Sequence, residues 1–205
     1  MALLRDPDVL IPEIHPLLQD RWSPRAFDES HVLDAVTLAT LLEAARWSPS
    51  AGNSQPWGFI VGLRGDATFE AFRTTHSRGN TAWTHRASAL LVTLRQLESG
   101  PDHEIPFNGY TAYDLGQAAA HLSIQAQALG LHAHQFAGFD HDAAKELFEV
   151  PDHWAVTTGI AIGRLADPSV LDESTREKEL RPRTRRPASD FSFAGKWGEP
   201  LELQP

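Results

Sequence analysis

Hydrophobic and polar positions along this chain switch repeatedly between a helical and a strand-like period. Leu17 to Asp20 predicts a short helix. Asp34 to Ala45 carries Val36, Leu38, Leu41, Leu42 and Ala45 near the spacing of one apolar helical stripe, with Asp34 placed to support the first turn. Trp57 to Leu63 is short and apolar, as a buried strand would be. Asp66 to Thr75 predicts a helix with Phe69 and Phe72 on one side, broken by Arg78-Gly79-Asn80. Trp83 to Arg86 carries no decisive period. Ala89 to Leu94 predicts a second strand, and Gln96 to Asn108 a polar loop of the kind that forms lids. Thr111 to Leu129 predicts a long helix rich in small residues and apolar over much of its circumference, with Asp114, Gln117, His121 and Gln125 as its polar stripe. Such a helix fits the middle of a domain or a dimer interface, and Gly130 is placed to end it. Leu131 to Phe136 predicts a third strand. Asp140 caps a helix from Ala143 to Phe148, and Trp154 to Ile162 predicts a fourth strand. From Leu165 on, charge density rises and the period vanishes. That tail is either disordered or wrapped over something, and Phe191, Phe193 and Trp197 favour wrapping. The sum is an α+β domain with a mixed, mainly antiparallel sheet flanked by helices.

Bulk properties narrow the function. At 205 residues the chain is long enough for one domain with a real core. A net charge of -9 argues against nucleic acid and against anionic membranes. With no cysteine, thiolate nucleophiles, disulfide scaffolds and iron–sulfur ligation are excluded, which fits a cytoplasmic enzyme. Met1 to Asp20 carries Arg5, Asp6, Asp8 and Glu13 among its apolar residues, so no signal-peptide core is expected, and no uncharged span is long enough to cross a bilayer.

Chemistry concentrates in the loop Ser48-Pro49-Ser50-Ala51-Gly52-Asn53-Ser54-Gln55-Pro56, between a predicted helix and a predicted strand. The prolines bracket it in few conformations, and its short hydrogen-bonding side chains suit the polar edge of a planar heterocycle. An ordinary helix-to-strand turn would use similar residues. Arg21-Trp22-Ser23-Pro24-Arg25-Ala26-Phe27 precedes the loop. Asp114-Leu115-Gly116-Gln117-Ala118, Phe136-Ala137-Gly138-Phe139-Asp140, the strand Val156 to Gly163 and the basic run Arg181 to Pro187 follow in order. This ordered set, from about Leu17 to Pro187, resembles the FMN-dependent nitroreductase family.

The resemblance implies a three-layer fold, an intertwined homodimer and FMN sites at the interface. It divides the chain into an arm (1–16), an FMN-binding domain (17–165) and a C-terminal extension (166–205) that completes the phosphate site and wraps the partner. A strand from Phe191 onward would add to the partner's sheet. Arg21 is implied on the phosphate, with Trp22 in the same motif. Ser23 and Arg25 are implied at the ribityl chain and pyrimidine edge. Extended chain puts Arg21, Ser23 and Arg25 on one face, which suits an anion, although a solvated basic turn would look alike. Ser50 and Asn53 are implied to approach the flavin across the interface, Asn80 to add an amide contact, and Ala137 and Gly138 to offer backbone N–H groups to the ring. Arg183 and Arg185 are implied as a late phosphate pair. Near Asn80 the family often has a lysine, where this chain has Trp83 or Thr84, so Arg25 is left to carry that charge alone.

The implied activity is NAD(P)H oxidation by a ping-pong hydride transfer to a nitroaromatic, a quinone or a related small electron acceptor, with no acid–base residue required. No G-x-G-x-x-G follows a strand, so NADH or NADPH is expected to share the acceptor's pocket. Phe107, Tyr110 and Tyr113 are candidates to line it, or simply core. An FMN-dependent dehydrogenase or dehalogenase, a flavin-binding module without turnover and a flavin-free homologue are the rival readings. His132 and His134 alternate on a strand, but no further ligands stand at a recognisable spacing, so no metal site is expected.

Overall fold

Short apolar segments that bury both faces dictate a layered architecture. The computed structural model describes residues 13–100 and 108–201. Residues 16–180 form one compact unit, and the described residues outside that range belong to a second. In the larger unit, β1 (Trp57–Leu63), β2 (Ala89–Gln96), β3 (His132–Phe136) and β4 (Trp154–Gly163) stand in the order β1-β2-β4-β3. Every pairing in this sheet is antiparallel, with Ile60 opposite Val92, Val92 opposite Gly159 and Ala133 opposite Ile162. The expected α+β fold with a mainly antiparallel sheet is therefore the fold observed. No parallel pair joins the sheet among the described residues.

The strand pleat sorts side chains into two cores. Leu90, Val92 and Ala161 face one layer, while Ala89, Leu91, Ile160 and Ile162 face the other. The first layer holds α3 (Ala67–Arg73), α4 (Arg78–Thr84) and α6 (His141–Leu147), and its core contains Phe69, Phe72, Trp83, Phe136 and Ala144. The second holds α2 (Ala35–Arg46) and α5 (Thr111–Ala128), which contribute Leu41, Ala45, Ala118, Leu122 and Ala126. A short α1 (Pro16–Asp20) precedes them, and α7 (Glu173–Glu179) closes the unit.

Helix starts follow the acidic caps that the sequence offers. Asp34 accepts from the Thr37 amide at 2.7 Å, Asp66 from Phe69 at 2.7 Å and Asp140 from Ala143 at 3.0 Å. Gly130 adopts φ +71° beyond α5, as the predicted stop requires. Two expectations fail. The break at Arg78-Gly79-Asn80 is instead the first turn of α4, because the fully buried Trp83 anchors that helix in the aromatic core and outweighs a single glycine. The loss of periodicity after Leu165 also hides α7, which Asp172 caps through the Thr175 amide at 3.0 Å and which buries only Thr175 and Glu179.

In the smaller unit, Ala188–Asp190 forms a 3-10 turn and the Phe193 and Trp197 rings lie 4.7 Å apart. Phe191 and Trp197 are exposed.

Close approach of α3 to β1 is possible only at a glycine. A Cβ on Gly62 would stand 2.6 Å from the Phe69 Cα, against backbone that cannot rotate away. Gly62→Ala is expected to destabilise the fold by about 2 kcal/mol or more, read as a lowered urea midpoint.

Candidate active site

The segment of residues 21–28 runs across the larger unit outside the sheet, so partners for its backbone must come from elsewhere. The His134 Nδ1 lies 2.8 Å from the Pro24 carbonyl and must donate to it, since a carbonyl only accepts. The Glu179 carboxylate accepts from the Arg25 amide at 3.0 and 2.9 Å and from the Ala26 amide at 3.2 Å. The Ala166 amide donates to Ala26 O at 2.9 Å, and the Asp28 amide to Arg164 O at 2.9 Å. With Ala26 and Phe27 buried, the chain is held in a fixed line while Arg21, Trp22, Ser23 and Arg25 stay half-buried. The Arg21 Nη1 donates to Ser23 Oγ at 3.4 Å, and the Arg25 Nη1 stands 3.9 Å from Glu179 Oε2.

This segment is coupled to the turn at Ala137 and Gly138. The Asn80 side-chain amide donates to Gly138 O at 2.9 Å, and its oxygen accepts from Trp83 Nε1 at 3.2 Å. The Trp83 ring stacks on the His134 ring, centroids 4.5 Å apart, and His134 reaches Pro24. The structure thus brings Asn80 and Gly138 together and links both to the basic segment. A Cβ on Gly138 would lie 2.7 Å from Asn80 Nδ2, so glycine is required for this contact. Ala137 and Gly138 are exposed. Trp83 and Thr84 are both fully buried, so neither presents a group to the surface beside Gly138.

A second group forms around the loop before β1. The polar stripe of α5 does not face solvent as a whole; it holds this loop. Asp114, buried, accepts from the Ala51 amide at 3.1 Å, Gln117 donates to Pro49 O at 3.4 Å, and His121 Nδ1 hydrogen-bonds Ser48 Oγ at 2.6 Å. Ser50 Oγ accepts from the Gln55 amide at 3.0 Å, and Asn53 is exposed at φ +56°. A groove of about 390 Å³ is lined by Ser50, Ala51, Tyr110, Tyr113, Asp114 and Gln117. Tyr110 and Tyr113 are 66% and 69% exposed, so they are wall residues and not core. Phe107 lies outside the described residues.

Arg183 and Arg185 belong to the smaller unit, where both are exposed and the Arg185 Nη1 donates to Thr184 O at 2.7 Å. His132 packs edge-on against Trp22 at 6.5 Å, while His134 stacks on Trp83, so each has an aromatic neighbour. Sequence reasoning missed Glu179, Trp83 and His134 as supports of the site. A glutamate in a charged tail and a tryptophan without period gave no signal, and only the alternation of His132 and His134 drew notice to that strand.

The family model described as "Nitroreductase family" matches residues 18–74 and 63–164. The chain belongs to the nitroreductase family. This nitroreductase-family chain is 39% identical over 151 residues to an uncharacterised 15.4 kDa protein of Mycolicibacterium smegmatis, covering 70% of the chain and 99% of that relative. It is 33% identical over 96 residues to an oxygen-insensitive NADPH nitroreductase of Helicobacter acinonychis, a match that spans 46% of the chain and 45% of the relative. Among solved structures, an oxidoreductase described as containing FMN superposes with a TM-score of 0.86 at 34% identity, over 97% of this chain and 100% of that one.

Burial pushes His134 down to about 4, with the nearby Arg25 and Arg21 adding to the effect against the pull of the Pro24 carbonyl. The native state therefore holds the ring neutral, whereas the unfolded chain protonates it near 6.5. The resulting stability is fully present above pH 6.5, falls as pH drops from 6.5 towards 4, and is gone below, at most about 3 kcal/mol. His134→Asn, which can still donate to Pro24 O, is expected to flatten the decline in urea stability between pH 7 and pH 4.5 relative to the parent.

Proposed function

We propose that this protein is an FMN-dependent NAD(P)H oxidoreductase that passes hydride, in ping-pong fashion, to a nitroaromatic, a quinone or a related electrophile. The observation that carries the reading is the basic segment held rigid and tied through His134, Trp83 and Asn80 to the exposed Gly138 turn, in a chain of the nitroreductase family. The similar solved oxidoreductase contains FMN, and the Helicobacter relative is an NADPH nitroreductase.

The residues present fit a flavin mononucleotide. Arg21 and Ser23 offer a guanidinium and a hydroxyl to an anion and its polyol chain. Arg25 offers positive charge to the edge of a ring system that becomes electron-rich. Gly138, where a side chain would collide with Asn80, lets backbone come close to a flat ligand. Bound FMN supplies the hydride chemistry, and the protein supplies position and field.

Donor and acceptor take turns in one pocket, to which Tyr110 and Tyr113 contribute aromatic walls. Ser50 and Asn53 sit in the loop that α5 holds, whereas α7 and β3 hold the basic segment, and separate anchoring suits an approach to the flavin of a second subunit. We accordingly propose a homodimer. The exposed small residues Ala112, Gly116 and Ala120 on α5 support close contact there. The extension from residue 166 is proposed to wrap the partner and to bring Arg183 and Arg185 to the phosphate. Reduced nicotinamide as donor is consistent with a cytoplasmic site of action. No helix among the described residues is long and apolar enough to cross a membrane.

The purified protein is expected to be yellow and to release near-stoichiometric FMN on heat denaturation. Arg25→Ala is expected to weaken FMN binding about tenfold or more, or to slow reduction by NAD(P)H to a similar degree. A colourless protein that takes up no added FMN would overturn the enzyme reading. Unchanged flavin behaviour in Arg25→Ala would remove Arg25 from the site.

A further inference from the structure

A carboxylate almost entirely removed from solvent needs hydrogen-bond donors, and the identity of those donors tells what it organises. The Glu179 side chain is 1% exposed. Its donors are the amides of Arg25 and Ala26, across more than 150 residues of chain, with both of its oxygens turned to the Arg25 amide. The Arg25 guanidinium lies beside the same carboxylate, 3.9 Å from Oε2, yet its side chain remains 29% exposed. The buried acid therefore grips the backbone of Arg25 and faces the inner side of its cation, leaving the rest of the guanidinium turned outwards. Apart from the side chain of Thr175, Glu179 is the only part of α7 that is buried, so the helix enters the interior chiefly to deliver this group.

We propose that Glu179 is the positioning residue for Arg25, fixing where that cation stands towards the flavin edge. This rests on the flavin reading above.

Glu179→Gln tests the assignment. With its oxygen in the place of Oε1, glutamine still accepts from both amides, but its amino group then points at the Arg25 amide and guanidinium. In the flipped rotamer the clash falls on both amides, so either way a donor meets Arg25. FMN affinity is measured by flavin fluorescence quenching for the parent, Glu179→Gln, Arg25→Ala and the double variant. The expected result is about tenfold or more weaker binding in Glu179→Gln, and equal affinity, within about twofold, for Arg25→Ala with and without the second change. Glu179→Asp, which keeps the acceptor chemistry, is expected to bind closer to the parent. Full additivity of the two changes, or parent-like binding by Glu179→Gln, would overturn the proposal. If Glu179→Gln does not accumulate folded, Glu179→Ser, which removes the carboxylate without aiming a donor at Arg25, takes its place in the cycle with the same two expectations. Amide hydrogen exchange at Arg25 and Ala26 in the ligand-free protein is expected to accelerate in the variant. That measurement separates the two readings. A parent that takes up no FMN sinks the flavin assignment, whereas unchanged exchange sinks the role of Glu179.

Discussion

Extended chain that crosses a protein interior without joining a sheet still has to satisfy its amides and carbonyls, and much of this molecule is arranged around one such crossing. Between Pro24 and Asp28 the partners come from three directions: the ring of His134 on β3, the carboxylate of Glu179 on α7, and the backbone that follows β4 at Arg164 and Ala166. Each donor or acceptor belongs to a different element, so the crossing is ordered only when the sheet and the C-terminal helix are both in place. The half-buried side chains that project from it inherit that order. A basic segment that would be a floppy surface turn in isolation becomes a fixed array.

The second group follows the same logic with different parts. The loop before β1 carries left-handed backbone at Gly52, Asn53 and Gln55, a conformation that costs energy at the two non-glycine residues. The polar stripe of α5 offsets that cost by hydrogen-bonding Ser48, Pro49 and Ala51. Helix α5 thus has three duties at different angles around its axis: it buries Leu115, Ala118 and Leu122 against the sheet, restrains a loop, and leaves small residues outward.

Much of the architecture was legible because the signals were local. The Asp34 and Asp140 caps, the Gly130 stop and the apolar strands depend on near neighbours, and their positions agree with the sequence reading. The parts that were not legible depend on distant partners. Gly79 looked like a breaker because nothing near it announces that Trp83 will be swallowed by an aromatic core. Asp114 stood out only as one member of a polar stripe, and the return of the loop at Ala51, whose amide it accepts from, is what its burial depends on. Glu179 sits in a charged tail without apolar period, and its donors lie at the other end of the chain. For the candidate site, the basic segment and the Gly138 turn stood out through their ordered motifs, while Glu179 and Trp83, which hold them in place, did not.

The two borders of the sheet are not equivalent. At one border β3 carries His132, His134 and Gln135, and it is braced by the chain at Pro24. At the other border β1, Trp57-Gly58-Phe59-Ile60-Val61-Gly62-Leu63, has neither a charge nor a proline and pairs on one side only among the described residues. Polar, kinked or charged borders resist adhesion between molecules, and this one lacks those guards. During synthesis and refolding, β1 is therefore the seam at which unfinished chains would stick to one another, and the side on which an added strand from another molecule would find open backbone.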